Sequence, residues 1–345
     1  MATSQFTIYT SADVGGPGPI YGNSGSLITV LNACLVTGYS EKPAAGWLKP
    51  LTDSSSYACY QQPSGSKFTM FVNDNFIQSG MEASFTGWAN MTSLTGSGNP
   101  SADSNVGAGY GQFPLPQQSI TVGKVMIRKS STSDTTSART WIIAADNYTM
   151  YIWILAGDTA GYYSHVTFGD FYSLYGASDV GRCMIKGRAG EGSPNNQYDF
   201  TDVMSMGIYN AINYLTIPFP GNYLAKSAAG TGQSIGNTIK GDALVAYGLQ
   251  GNYPYGCSFG GQLTSPNPTD NNLYLSYLWV VDPSNSSLRG KYRGIYQLCH
   301  NPSNFVDGQP IVGSGTFAGK TFLIIKGGYN LGMWCLETSN TVLTN

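Results

Sequence analysis

Charged residues are scarce in this chain. Its 345 residues include 17 Lys or Arg and 19 Asp or Glu, so 10% are charged, whereas soluble proteins average about 25%. The net charge is -2 and basic runs are missing. A nucleic-acid surface needs clustered Lys and Arg, as does binding to an acidic membrane surface, so neither is predicted. With so few charges, we do not expect ion pairs to organise the fold.

Long apolar runs are also missing. The longest, around Met150–Leu155, is far shorter than the roughly 20 residues that span a bilayer as a helix. The first residues, MATSQFTIYT, lack the basic and apolar regions of a secretion signal. We therefore expect neither a membrane span nor a classical signal peptide.

The cysteines and histidines are too far apart in the sequence to indicate a reactive site. The six cysteines lie far apart without a CxxC pair, so unpaired buried thiols are predicted. His165 and His300 form no HxxxH or HExxH motif, and we expect them to be structural or surface residues. No catalytic, cofactor-binding or metal-ligating residue is assigned, and no enzyme is expected.

One stretch imitates a phosphate-binding loop. It runs from Gly313 to Lys320 and Thr321, but Ser314 stands where the first glycine of such a loop is required. The residues from Thr321 to Lys326 also predict a strand, which removes the helix N-terminus that would bind phosphate. Nucleotide binding is therefore not predicted.

Glycine, tyrosine and apolar residues fill the place of the missing charges. The chain has 44 Gly, 24 Tyr and 41% hydrophobic residues, which is typical of β-strands joined by turns. One segment, Ser24–Val36, has helical periodicity, with Ser24 or Ser26 as its N-terminal cap and Gly38 at its end. The predicted apolar face comprises Leu27, Leu31, Cys34 and Leu35.

Apolar residues elsewhere recur with a period near two and predict strands. The predicted strands are Lys67–Val72, Ile120–Lys129, Thr140–Ala145, Tyr148–Leu155, Ser164–Tyr175, Leu273–Val281, Tyr292–Leu298, Thr321–Lys326 and Gly332–Glu337. The predicted fold class is therefore mainly β: antiparallel, β-sandwich-like sheets with one short N-terminal amphipathic helix and long Gly/Ser-rich loops.

The clearest hairpin is Thr140–Leu155. Asp146 and Asn147 suit a type I′ turn, because both residue types tolerate positive φ. Both faces of the hairpin are apolar, whereas a sheet with one wet face alternates. We expect these strands to be central in a sandwich, and cover by another subunit is the alternative.

Three stretches lack periodicity. Thr92–Gln118 is rich in Gly, Ser and Pro and is predicted to be a linker or exposed arm. Gly187–Asn196 and Ala225–Gly241 are predicted to be loops. We divide the chain into an N-terminal region, 1–112, and a larger antiparallel β domain, 113–345, with a single domain as the alternative.

Several segments resemble a family of virion structural proteins of tailed bacteriophages. They are Tyr9–Asp13, Gly25–Tyr39, Pro43–Trp47, Arg139–Asp146, Phe168–Phe171, Leu273–Leu275, Leu288–Gly290, Arg293–Gly294, Asp307–Gly308 and Ala318–Phe322. The resemblance covers most of the chain apart from Thr92–Gln118. It implies a non-enzymatic component of the capsid, neck or tail that is assembled in the host bacterial cytoplasm and contacts other virion proteins and copies of itself.

Two other functions stay open. A receptor-binding or glycan-binding tail module would use exposed aromatic rings, although the Trp residues in predicted strands are first assigned to the core. A depolymerase would need two converging acids, of which Asp170 is one candidate, and a turn residue that binds local amides is the simpler interpretation of Asp170. The compact basic stretch, Leu288–Gly294, is expected at a strand edge or subunit contact.

Overall fold

Antiparallel β-sheets dominate the part of the chain that the structure describes. The computed structural model describes residues 6–76, 81–94, 108–114, 124–157, 163–187, 221–225, 239–241, 272–282, 287–298, 300, 304–326 and 333–338. The mainly β, antiparallel fold with one short N-terminal helix is confirmed.

The strands, in chain order, fall on both sides of residue 112. They are β1 (Thr7–Thr10), β2 (Tyr57–Gln61), β3 (Thr69–Phe76), β4 (Glu82–Trp88), β5 (Asn90–Ser93), β6 (Ala108–Tyr110), β7 (Val125–Arg128), β8 (Trp141–Ala145), β9 (Thr149–Leu155), β10 (Tyr163–Asp170), β11 (Tyr172–Ser173), β12 (Cys183–Gly187), β13 (Gly221–Leu224), β14 (Ile239–Gly241), β15 (Leu275–Asp282), β16 (Ser287–Leu298), β17 (Pro310–Val312), β18 (Thr321–Lys326) and β19 (Met333–Glu337). The helix α1 (Ser26–Leu31) continues as a π-helical segment over Asn32–Thr37, and 3₁₀ turns span Gly176–Ser178 and Gly315–Phe317.

The strands form three layers. The N-terminal sheet has the order β2-β3-β4-β7, and the central sheet has the order β1-β8-β9-β10-β12-β13. The C-terminal sheet has the order β14-β15-β16-β19-β18-β17, with β11 paired to β16. Strands β5 and β6 form a separate ribbon. Pairing of β1 with β8 and of β4 with β7 joins segments from both sides of residue 112.

The central sheet is apolar on both faces. Ile143 and Ile152 pack with α1 and the N-terminal sheet, whereas Tyr151 and Trp153 pack against the C-terminal sheet. Because neighbouring residues of a strand point to opposite faces, a strand between two layers has no polar face. The central position predicted for the Thr140–Leu155 hairpin is confirmed. Its two faces are covered by this chain, so a second subunit is not needed there.

The turn of this hairpin differs from the prediction. Neither Asp146 nor Asn147 has a positive φ, so the type I′ turn was wrong. Instead, Asp146 Oδ1 accepts the backbone N–H groups of Tyr148 and Thr149, each at 2.8 Å. The side chain of Asp146 therefore stabilises the turn that its backbone conformation was expected to define.

The helix begins two residues later than predicted and changes to π-helical hydrogen bonding at Asn32. Its N-cap is Gly25, and neither serine caps it with its side chain. Asp74 of β3 takes that role, since its Oδ2 accepts the N–H groups of Leu27 at 3.0 Å and Ile28 at 3.3 Å. The predicted apolar face is buried, and Gly38, with φ +72°, ends the helix as expected.

Several strand bounds also differ. The predicted strand Ser164–Tyr175 is divided into β10 and β11 at Phe171, and β10 begins at Tyr163. The prediction missed β4, which is buried along its whole length. Glu82, Ser84 and Thr86 at buried positions conceal its pattern. The strand Thr321–Lys326 has the bounds that were predicted.

The Thr92–Gln118 stretch is not a simple arm. Strand β6 pairs with β5, and Phe113 is fully buried in the core against Gly87. A Cβ at Gly87 would lie 2.2 Å from the Phe113 ring, so this packing requires glycine. The arm prediction is wrong for residues 108–114, and residues 95–107 and 115–118 lie outside the described ones.

The two predicted loops are described only in part. In the Gly187–Asn196 loop, Gly187 belongs to β12 and residues 188–196 are not described. In the Ala225–Gly241 loop, residues 239–241 form β14 and residues 226–238 are not described.

Candidate functional site

Many of the few charged side chains lie inside the protein. The buried ones are Asp74, Glu82, Lys124, Arg128, Lys129, Arg139, Asp146, Asp170, Asp179, Lys186, Arg289, Arg293 and Glu337. Several form ion pairs, such as Arg128 Nη1 with Glu82 Oε1 at 3.1 Å and Lys129 with Asp74. The expectation that ion pairs do not organise the fold was wrong. Among the described residues, the surface therefore carries even fewer charges than the composition suggests.

The basic stretch Leu288–Gly294 is not a basic surface patch. Arg289 is buried and pairs with Asp179, and Arg293 is buried and pairs with Asp146. The Lys291 ammonium lies 3.7 Å from the centroid of the Tyr277 ring. Each cation of the stretch is therefore engaged within the chain. The prediction of a strand edge was wrong, because β16 lies between β15 and β19 inside the C-terminal sheet.

Arg293 is enclosed by aromatic rings as well as by its acid. Its guanidinium carbon lies 4.4 Å from the Tyr148 centroid and 4.7 Å from the Tyr172 centroid. Burial opposes the charge of Arg293, but Asp146 outweighs burial, so the pKa of Arg293 lies above its ordinary value. Tyr151 donates its hydroxyl to the Arg293 carbonyl at 2.9 Å. This residue therefore connects the C-terminal sheet to the central hairpin.

Asp170 is a buried structural carboxylate. It accepts the Ser66 N–H at 3.0 Å, the Gln62 amide at 3.1 Å and Arg182 Nε at 2.9 Å, and the Ser66 hydroxyl also donates to it. The predicted local turn was wrong, because two of these partners lie more than 100 residues away. The described groups that contact Asp170 are all hydrogen-bond donors, so its carboxylate is engaged in holding distant segments of the chain together.

Both histidines are buried. His165 lies between the central and C-terminal sheets, and its Nε2 is 2.6 Å from Thr167 Oγ1. Burial first, and the charge of Lys186 second, hold the pKa of His165 well below its ordinary value. His300 Nε2 accepts the Tyr274 N–H at 2.8 Å. His165 and His300 therefore occupy structural positions, as predicted.

The stretch that imitates a phosphate loop forms a 3₁₀ turn followed by β18. Lys320 Nζ is 2.7 Å from Glu337 Oε1, and Tyr296 donates its hydroxyl to Glu337 Oε2 at 3.0 Å. The strand predicted after Thr321 is confirmed. The Lys320 side chain therefore links the start of β18 to the end of β19.

An exposed apolar surface lies beside β11. Its side chains are Leu174, Tyr175, Val180 and Leu288, which are 43–63% exposed, and we call them the apolar patch. The Leu174 N–H donates to the Arg289 carbonyl at 2.8 Å, which joins residues 174–180 to the start of β16. Exposed apolar side chains grouped in this way often mark an interaction surface.

Buried polar contacts fix the loop that carries the apolar patch. Asp179 accepts Arg289 Nη2 at 2.6 Å and Nε at 3.0 Å, and the Ser173 hydroxyl at 2.7 Å. Burial alone would raise the pKa of Asp179, but these donors lower it below its ordinary value. Because these contacts already order the loop, less conformational entropy is lost when a partner binds to it. The sequence does not predict the apolar patch, because its residues follow no periodicity.

Four of the six cysteines are described: Cys34, Cys59, Cys183 and Cys335 are buried thiols that form no disulfide bond, as predicted. Cys257 and Cys299 lie outside the described residues. In the described part of the chain, no group of three or more His, Cys, Asp or Glu side chains is arranged to hold a metal ion. No helix among the described residues is long and apolar enough to cross a bilayer.

The chain was compared with known proteins by family model and by sequence. No family model matches it, and no curated protein matches it.

Proposed function

We propose that this chain is a non-enzymatic structural subunit of a tailed-bacteriophage particle, which decorates or stabilises the capsid, neck or tail through contacts with other virion proteins and with copies of itself. The apolar patch is the observation that carries the proposal. Its rigid, neutral surface is suited to a lasting protein contact, because the neighbouring charges of Asp179 and Arg289 are paired beneath it.

The remaining support comes from the sequence and from the use of charge. Several segments of the chain resemble virion structural proteins, and some of them form the buried framework, such as Arg139–Asp146 in the central hairpin. The buried acids Asp146, Asp170 and Asp179 each have a structural hydrogen-bond role. A subunit held by its neighbours needs contact surface and stability more than an accessible reactive group.

Particle incorporation tests the proposal. The chain is produced together with the particle it belongs to, the particles are separated on a density gradient, and the subunit is quantified by mass spectrometry. We expect it in the particle fraction and expect Val180→Asp to reduce its amount severalfold, because the new carboxylate would have to be desolvated at the contact. A wild-type chain found only in the soluble fraction would refute the proposal.

Val312→Asp is the matched control. Val312 is 68% exposed on β17, and Val180 is 63% exposed, so both variants add one charge to a similarly accessible valine. Equal loss of incorporation in both variants, with unchanged thermal stability, would show that the apolar patch is not the contact surface.

The glycan-binding alternative is favoured by one feature of the C-terminal sheet. Tyr277 and Trp279 are half-buried neighbours on β15, with ring centroids 5.6 Å apart. Glycan-array binding by the purified chain, lost in Trp279→Ala, would support a receptor-binding module. Absence of binding to any arrayed glycan would remove this alternative.

A further inference from the structure

A lysine and an aspartate meet in the interior beside the N-terminal sheet. Asp74 lies on β3, and Lys129 directly follows β7, 55 residues later in the chain. The Lys129 amine nitrogen contacts Asp74 Oδ1, and both side chains are fully buried. In the Lys42–Asp13 pair, by contrast, the lysine side chain is 23% exposed. Water therefore reaches the Lys42 pair but not the Lys129 pair.

Further hydrogen bonds hold both groups in place. Asp74 Oδ2 accepts the N–H groups of Leu27 at 3.0 Å and Ile28 at 3.3 Å. Lys129 Nζ donates to the Asn23 carbonyl at 2.6 Å and to the Asp74 carbonyl at 3.2 Å. The carboxyl group is thus fixed with one oxygen on the start of α1 and the other on the amine.

Burial favours the uncharged forms of both groups. It raises the pKa of Asp74, although the charge of Lys129 opposes the shift. It lowers the pKa of Lys129, although the charge of Asp74 opposes that shift. Mutual attraction often fails to repay the cost of burying two opposite charges. A desolvated, uncharged lysine amine is a nucleophile, and here it lies against a carboxyl group.

We propose that Lys129 and Asp74 become joined by an intramolecular amide bond between Nζ and Cγ after the chain folds. The lone pair of Nζ forms the bond to Cγ, and the Cγ–Oδ1 bond breaks with its electron pair on Oδ1. That oxygen leaves as water, carrying the proton of the carboxylic acid and one proton of the amine. The reaction consumes no oxidant and no other reactant. This inference does not depend on the proposed function.

The contacts of the pair suit both the reaction and its product. The N–H groups of Leu27 and Ile28 stabilise the negative charge that develops on Oδ2 during attack. The contact between Nζ and Oδ1 gives the amine proton a direct path to the leaving oxygen. In the product, Oδ2 is an amide oxygen that still accepts from α1, and the remaining N–H donates to Asn23.

The fold supplies the driving conditions. Holding the two groups in contact replaces a bimolecular encounter with a step inside one molecule, which raises their effective concentration greatly. Full burial keeps out the water that would hydrolyse the amide. The bond closes a loop across the N-terminal sheet and restricts the unfolded chain, as a disulfide does.

Intact-mass measurement of the denatured full chain tests the proposal. We expect the wild-type chain to be lighter than its sequence requires by one water molecule. Lys129→Met should have the full mass of its own sequence. Lys42→Met, which removes the lysine of the more exposed pair, should retain the loss of water. A wild-type chain of full mass would overturn the proposal.

Tryptic peptides identify the residues that are joined. Because trypsin does not cleave after an acylated lysine, the linked chain should yield one branched peptide composed of residues 68–124 and 129–139. Cyclisation of an aspartate onto its own backbone also loses water but leaves residues 68–124 unbranched, and that result would contradict the proposal. If Lys129→Met does not fold, the branched peptide of the wild-type chain decides the question alone.

Discussion

Arg293 and Asp146, 147 residues apart in the chain, form a buried ion pair of 2.7 Å that joins the C-terminal sheet to the turn of the central hairpin. The same carboxylate holds that turn through its other oxygen, which accepts two backbone N–H groups. The pair therefore couples the geometry of one layer to the position of the next.

We expect Arg293→Met to destabilise the protein by about 3–5 kcal/mol, because it leaves the Asp146 charge buried without its partner. Urea unfolding at neutral pH measures the change. The double variant Asp146→Asn/Arg293→Met should lose less than the sum of the two single variants. Lys49→Met is the control at a more exposed pair, with a cost of about 1 kcal/mol or less. Equal costs at the two sites would contradict this account of the buried pair.

Leu31→Asp should prevent folding, because Leu31 is fully buried in the core that α1 shares with the N-terminal and central sheets. Thr29→Asp places the same charge on the exposed side of the same helix and should fold normally. Circular dichroism and gel filtration distinguish the two outcomes. A folded, monodisperse Leu31→Asp protein would show that this face is not a core face.

Acid should weaken the protein partly through His165. Burial holds the pKa of this residue below 6.5 in the folded state, so the unfolded chain binds the proton more readily. Stability attributable to His165 is therefore complete above about pH 6.5 and falls below it, by up to about 1.4 kcal/mol per pH unit. Urea unfolding at about pH 8 and about pH 5 should show a smaller difference for His165→Gln than for the wild type. An unchanged difference would exclude His165 as a source of the pH dependence.

Phe113→Ala should cost about 3–5 kcal/mol, because the ring fills a fully buried site against Gly87, Phe68 and Phe168. Tyr110→Ala, three residues earlier and 65% exposed, should change stability by no more than about 0.5 kcal/mol. Thermal unfolding of the two variants measures the difference. Similar losses would mean that Phe113 does not anchor this segment in the core.

Local periodicity predicted the β class, the Thr321–Lys326 strand and the central position of the hairpin. These succeed because the alternation of side chains along a strand is a property of neighbouring residues. Strand β4 failed the same test, since Glu82 is buried beside Arg128, a partner 46 residues away. A polar residue at a core position conceals the period unless its distant partner is known.

Residue types and their spacing are enough to predict a β protein with a two-faced apolar hairpin and few charges. The positions at which those charges act follow from the folded arrangement of the chain: Asp74 caps a helix, Asp146 holds a turn and pairs with Arg293, and Asp170 secures a distant loop. In each of these roles the carboxylate does the same thing chemically, which is to accept hydrogen bonds. Which donors surround it depends on the path of the chain between residues far apart in sequence, and that path is fixed by the packing of whole layers.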